Sequence, residues 1–123
     1  MSVKLGSVAH FSLAVRDPAA SAKWWTDNFD LSEVRRSDER VLLRNDNFTL
    51  VLFRGEPGRN VQEHMAFNVP DMQALTEAAL ALLAKGVELE DGENAIGPVS
   101  PGSSSLGLWF RDPDGYRWEL FVR

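Results

Sequence analysis

The sequence predicts an α+β fold in which one β-α-β-β-β unit is written twice along a single chain. Three observations predict it. HFSLAVRD (His10 to Asp17) lies over HMAFNVPD (His64 to Asp71), matching His10 with His64, Val15 with Val69 and Asp17 with Asp71. Each stretch runs straight into a helix signal. Each helix is then followed by short strand-like runs separated by turn residues.

The elements follow in order. After the first strand, Asp17 is a helix N-cap and Pro18 suits the first helical turn, so a helix continues through AASAKWWTDNFD. LSEVRR, ERVLLR and FTLVLFR then read as strands, parted by Ser37-Asp38 and Asn45-Asp46-Asn47. GEPGRNVQ, Gly55 to Gln62, reads as the linker. In the second half Asp71 caps MQALTEAALALLAK, with Leu75, Leu82 and Leu83 as an apolar stripe and Gly86 as the stop. VELE, SLGLWFR and YRWELFVR read as strands, the last two joined by Asp112-Pro113-Asp114-Gly115. Residues 91–103, rich in Gly, Pro and Ser, read as a long loop that is a surface feature or a lid. The expected organisation is one domain, 1–123, with module one at about 6–54 and module two at about 63–123.

Composition narrows the function. At 123 residues, 44% hydrophobic and 25% charged, the chain suits one folded core. With no cysteine, disulfides, thiolate metal sites and cysteine nucleophiles are excluded. A net charge of −5 and scattered basic residues such as Arg35 and Arg36 argue against nucleic-acid binding. No run is long and apolar enough for a membrane helix and no signal pattern opens the chain, so the expectation is a cytoplasmic protein.

Strand parity places the polar residues. In the first strand Phe11, Leu13 and Val15 share an apolar face, leaving His10, Ser12 and Ala14 opposite. In the fifth, Met65, Phe67 and Val69 are apolar, leaving His64, Ala66 and Asn68. Both histidines fall on faces of small or polar residues, the kind that lines a cavity. In the last strand Trp118, Leu120 and Val122 oppose Arg117, Glu119, Phe121 and Arg123, so Glu119 lies within a sheet and needs a cation or donors. A lone strand histidine is more often a packing or surface residue, but here the same residue recurs at the same parity in both halves. Two imidazoles and a carboxylate match the 2-His-1-carboxylate metal set, which leaves coordination positions open.

The chain resembles the vicinal oxygen chelate superfamily, which includes glyoxalase I, extradiol dioxygenases, fosfomycin-resistance and bleomycin-resistance proteins. The resemblance rests on VAHFSLAVRDPAASAKWW, HMAFNVPD and LWFRDPDGYRWELFV. It implies paired βαβββ modules forming a curled mixed sheet around a shared cavity. It implies a homodimer with shared active sites, and in many members one divalent metal ion per site. Carried over by position, His10, His64 and Glu119 stand where the metal ligands stand, and Glu119 is also the candidate catalytic base. Candidate substrate contacts are Trp109, Ser12, Asn68 and Val51.

The family pattern is not met in full. Glyoxalase I has a fourth ligand, a glutamate near the end of the fourth strand. That slot falls at Val51, and FTLVLF contains no acid. Extradiol dioxygenases add a third histidine as acid-base catalyst, whereas this chain has two histidines in all. The reading is therefore a metal-dependent glyoxalase/dioxygenase-like enzyme acting on a small oxygen-rich substrate. Lyase, isomerase, dioxygenase and fosfomycin-type addition all stay open, as does the metal (Fe, Mn, Ni, Co or Zn). The alternative is a metal-free, homodimeric small-molecule binder of the bleomycin-resistance type. The predicted protein spans no membrane and binds no nucleic acid.

Overall fold

The computed structural model describes residues 2–58, 65–99 and 101–122, and of Glu93 the backbone alone. The chain divides into two compact units, Met1–Gly58 and Arg59–Arg123.

The first unit is a four-stranded mixed sheet covered on one face by a helix. Its elements are β1 (His10–Val15), α1 (Pro18–Asn28), β2 (Ser32–Arg36), β3 (Arg40–Arg44) and β4 (Thr49–Arg54), in sheet order β1-β4-β3-β2. β1 runs parallel to β4 and the other neighbours are antiparallel. The helix starts where Asp17 leaves the strand. Its carboxylate accepts from the Ala20 N–H at 3.2 Å, with Pro18 in the first turn, so an otherwise orphaned donor is satisfied. Leu13, Val15, Val41, Leu43, Leu50 and Leu52 are buried on the helix side with Ala22 and Trp25. Trp24, Trp25 and Phe29 make one aromatic cluster at the end of α1, so the two tryptophans are packing residues.

The second unit repeats the plan with β5 (Met65–Asn68), α2 (Met72–Ala84), β6 (Gly97–Pro98), β7 (Leu106–Arg111) and β8 (Arg117–Val122), in order β5-β8-β7-β6. Asp71 accepts from the Ala74 N–H at 2.8 Å, and Gly86 follows the helix at φ 81°, a conformation that favours glycine. α2 packs on β7 and β8. Leu75, Ala79 and Leu82 are buried from the helix, and Leu108, Phe110, Trp118 and Leu120 from the strands. Phe67 stacks on Trp118 with ring centroids 5.5 Å apart. The two βαβββ modules of the α+β fold are thus present. Among the described residues no helix is long and apolar enough to cross a membrane.

Three local expectations change. VELE is not a strand: Leu89 alone bridges to Phe110, and the fourth strand of this sheet is the two-residue β6. The segment 91–103 therefore carries a 3-10 turn (Gly92–Asn94) and a strand rather than being loop throughout. Leu83 is 36% exposed, and Ala79 takes its place in the buried stripe of α2. His64, Ser100, Arg123 and residues 59–62 of the linker lie outside the described residues.

Candidate functional site

Sheet pairing fixes which side chains share a face, because directly paired residues point the same way. In the first unit His10 is exposed at the start of β1, on the face away from α1. Its row across the sheet is His10, Thr49, Arg44 and Ser32; the next is Ser12, Val51, Leu42 and Arg35. Ser12 and Val51, both candidate substrate contacts, are therefore direct neighbours, one row along from His10. Val51, the position that the resemblance to glyoxalase I expects for a fourth ligand, is aliphatic, and its row across the sheet holds no carboxylate.

In the second unit Glu119 sits in β8, an interior strand, and is 5% exposed. It pairs with Ala66 on one side and Trp109 on the other. Asn68 pairs with Phe121, one row further on, and is exposed. Glu119, Trp109, Ala66 and Asn68 thus lie on one face, opposite the α2-covered face that takes Trp118. Burying a carboxylate in an interior strand costs several kcal/mol unless donors or a cation compensate. Each unit by itself offers a donor that suits a divalent cation: a buried carboxylate, Glu119, in the second, and an exposed imidazole, His10, in the first. Among the described residues no three His, Asp or Glu form a metal-ligand group; His64 is outside them.

Beside Glu119 is an arrangement that spacing along the chain does not reveal. Arg117, two residues earlier and on the same face, donates from Nε and Nη2 to the two carboxylate oxygens of Glu90, each at 2.8 Å. Its guanidinium carbon lies 3.7 Å from the centroid of the Trp109 ring. The planar guanidinium covers one face of Trp109 while pairing bidentately with a partner 27 positions away, as only arginine can. The hydrogen bond from Arg117 holds the Glu90 carboxyl below its ordinary value.

The Asp-Pro-Asp-Gly turn that joins β7 to β8 is a structural device. Asp112 is 5% exposed and accepts from the backbone N–H of Asp114 and of Tyr116 and from Trp118 Nε1, each at 3.0 Å. Gly115 closes the turn at φ 90°. Burial pushes the Asp112 carboxyl up to about 6, against the pull of the three donors. This one side chain ties the turn to the core tryptophan of β8 and so sets where Glu119 stands along the strand. Tyr116 is buried, a packing residue.

The family model described as the Glyoxalase/Bleomycin resistance protein/Dioxygenase superfamily matches residues 7–120. Among solved structures, a lactoylglutathione lyase from Agrobacterium tumefaciens is 19% identical, with 96% of this chain and 94% of that one covered and a TM-score of 0.78. A glyoxylase/bleomycin resistance protein/dioxygenase domain from Frankia sp. EAN1pec is 24% identical over 97% and 98% of the two chains, with a TM-score of 0.76. A glyoxalase/bleomycin resistance protein/dioxygenase from Nocardioides reaches 0.80 at 16% identity, over 98% and 85%. No curated protein matches in sequence. At these identities the solved structures speak for the fold, while the family model spans nearly the whole chain: the protein belongs to the glyoxalase/bleomycin resistance protein/dioxygenase superfamily.

Proposed function

We propose that the protein is a metal-dependent enzyme acting on a small oxygen-rich molecule, with His10, His64 and Glu119 as ligands of one divalent ion per site. The observation that carries this reading is the 5% exposure of Glu119 in an interior strand, on the sheet face turned away from its helix. A carboxylate is retained in such a place when a cation or donors repay its lost hydration. When bound, the ion supplies Lewis-acid polarisation of two neighbouring substrate oxygens and leaves positions open for them. Glu119 also serves as the base that holds or moves a substrate proton. Ser12, exposed on the His10 face, and Asn68, exposed on the Glu119 face, orient the substrate by hydrogen bonds, and Val51 and Trp109 contact its apolar part. The protein works in the cytoplasm as a homodimer in which His10 of one protomer joins His64 and Glu119 of the other.

The test is metal analysis of protein purified without tag or chelator, wild type beside His64→Ala. The reading expects about one ion per chain in the wild type and none in the variant, with the fold intact by circular dichroism. Metal-free protein that does not retain added Mn(II) or Fe(II) overturns it.

A second reading, a metal-free binder of small molecules, is favoured by the half-buried Trp109 on the Glu119 face. It predicts tryptophan quenching by a bleomycin-type glycopeptide that is indifferent to metal and to His64→Ala.

A further inference from the structure

The face of the first sheet that carries His10 also gathers three arginines. Arg44 lies in the row His10, Thr49, Arg44; Arg35 closes the row Ser12, Val51, Leu42; Arg40 closes the row Ala14, Phe53. Two strand spacings separate His10 from Arg44, about 10 Å between Cα atoms. A register shift between Glu33 and Arg35 brings Arg35 opposite Leu42, on this face, while Glu33 pairs with Leu43 on the other. No Asp or Glu in the four strands joins the arginines there.

These three differ from other arginines of the chain. Arg36 pairs with Glu33, Arg54 donates to the carbonyls of Arg16 and Asp38, Arg111 donates to the Gly115 carbonyl, and Arg117 pairs with Glu90. Among the described residues the side chains of Arg35, Arg40 and Arg44 make no hydrogen bond or ion pair, and all three are exposed. In a chain of net charge −5, three exposed guanidinium groups without a partner among the described residues, on a face where the strands carry no acid, suit an anion. A polyanion would meet the negative charge of the rest of the molecule, so a small ligand fits better.

We propose that this face seats an anionic group of the substrate, a carboxylate or a phosphoryl or phosphonyl oxygen set, with Arg44 as its main donor and Arg35 and Arg40 beside it. The proposal deepens the function above and rests on its placing of substrate on the His10 face. The substrate is then a molecule whose paired oxygens are separated from a negatively charged end by a short spacer.

The experiment titrates the full-length protein with inorganic phosphate, and separately with acetate, following the arginine Nε–H signals by NMR. Saturable shifts of the Arg35, Arg40 and Arg44 Nε–H signals with either anion are expected; in Arg44→Gln the affinity read at Arg35 and Arg40 should fall about tenfold, the loss of one charge-assisted contact. Arg36→Gln, on the helix side, should leave them unchanged. The tighter anion tells which group the face prefers. Absent or non-saturating shifts at Arg44, or equal affinity in Arg44→Gln, overturn the proposal whatever the metal result. Mn(II) retention, measured on the same proteins by the free-ion EPR signal, reports separately on the metal reading. Anion binding without Mn(II) retention supports the arginine site and sinks the metal.

Discussion

Arg117 lies against Trp109 at 3.7 Å while both its inner nitrogens are held by Glu90 at 2.8 Å, so the tryptophan beside Glu119 is fixed from one side. Arg117→Ala should lower stability by about 1 kcal/mol and broaden the near-UV signal of Trp109. The pH dependence has a definite sign. Arg117 depresses the folded pKa of Glu90, so the pair contributes above the unfolded value near 4.5 and is lost as pH falls through the folded value. The gap in stability between wild type and Arg117→Ala should therefore narrow as pH is lowered below about 4.5. A constant gap in urea unfolding would contradict the pairing.

Asp112 should show the opposite trend. Its folded pKa, about 6, lies above the ordinary 3.8, so the folded state binds that proton more tightly. The contribution is present in full below about 4 and is lost as pH rises through about 6, by up to about 3 kcal/mol. The stability of wild type minus that of Asp112→Asn should fall across this window and level off above it. Parallel profiles would show that the carboxyl does not titrate there.

Gly107 is fixed by space. A Cβ built on it would lie 2.7 Å from the Leu120 carbonyl oxygen and 3.1 Å from Phe121 Cβ. Backbone cannot yield as a flexible side chain can, so Gly107→Ala should cost about 1–3 kcal/mol in denaturant unfolding and shift β7 against β8. An unchanged midpoint would mean that the strands are not so closely apposed.

Much of this was legible in the chain and some was not. Helix starts were readable because Asp17 and Asp71 cap locally, through bonds to residues three positions on. The faces of β1, β5 and β8 were readable because parity needs only the alternation of one strand. VELE misled because Val87 and Leu89 alternate like a strand yet reach the sheet through one bridge, and β6 was hidden in a segment of Gly and Pro. The pairing of Arg117 with Glu90 and the gathering of Arg35, Arg40 and Arg44 depend on register between distant segments. Spacing alone makes those arginines look scattered.

If each site is shared between protomers, two defective chains can restore one another. Glu119→Gln mixed with His10→Ala, after unfolding and refolding together, should recover about a quarter of the wild-type metal capacity, since half the dimers carry one intact site. Each variant alone should recover none. No recovery in the mixture would place all three ligands in one chain.

The central claim is that Glu119 is buried to hold a cation, and thermal melting with and without Mn(II) tests it most directly. Wild type should melt higher by about 10 °C at a hundredfold excess over Kd, with saturation at one ion per chain. Glu119→Gln should not respond to Mn(II). A wild type indifferent to the metal, or a variant stabilised by it equally, contradicts the account.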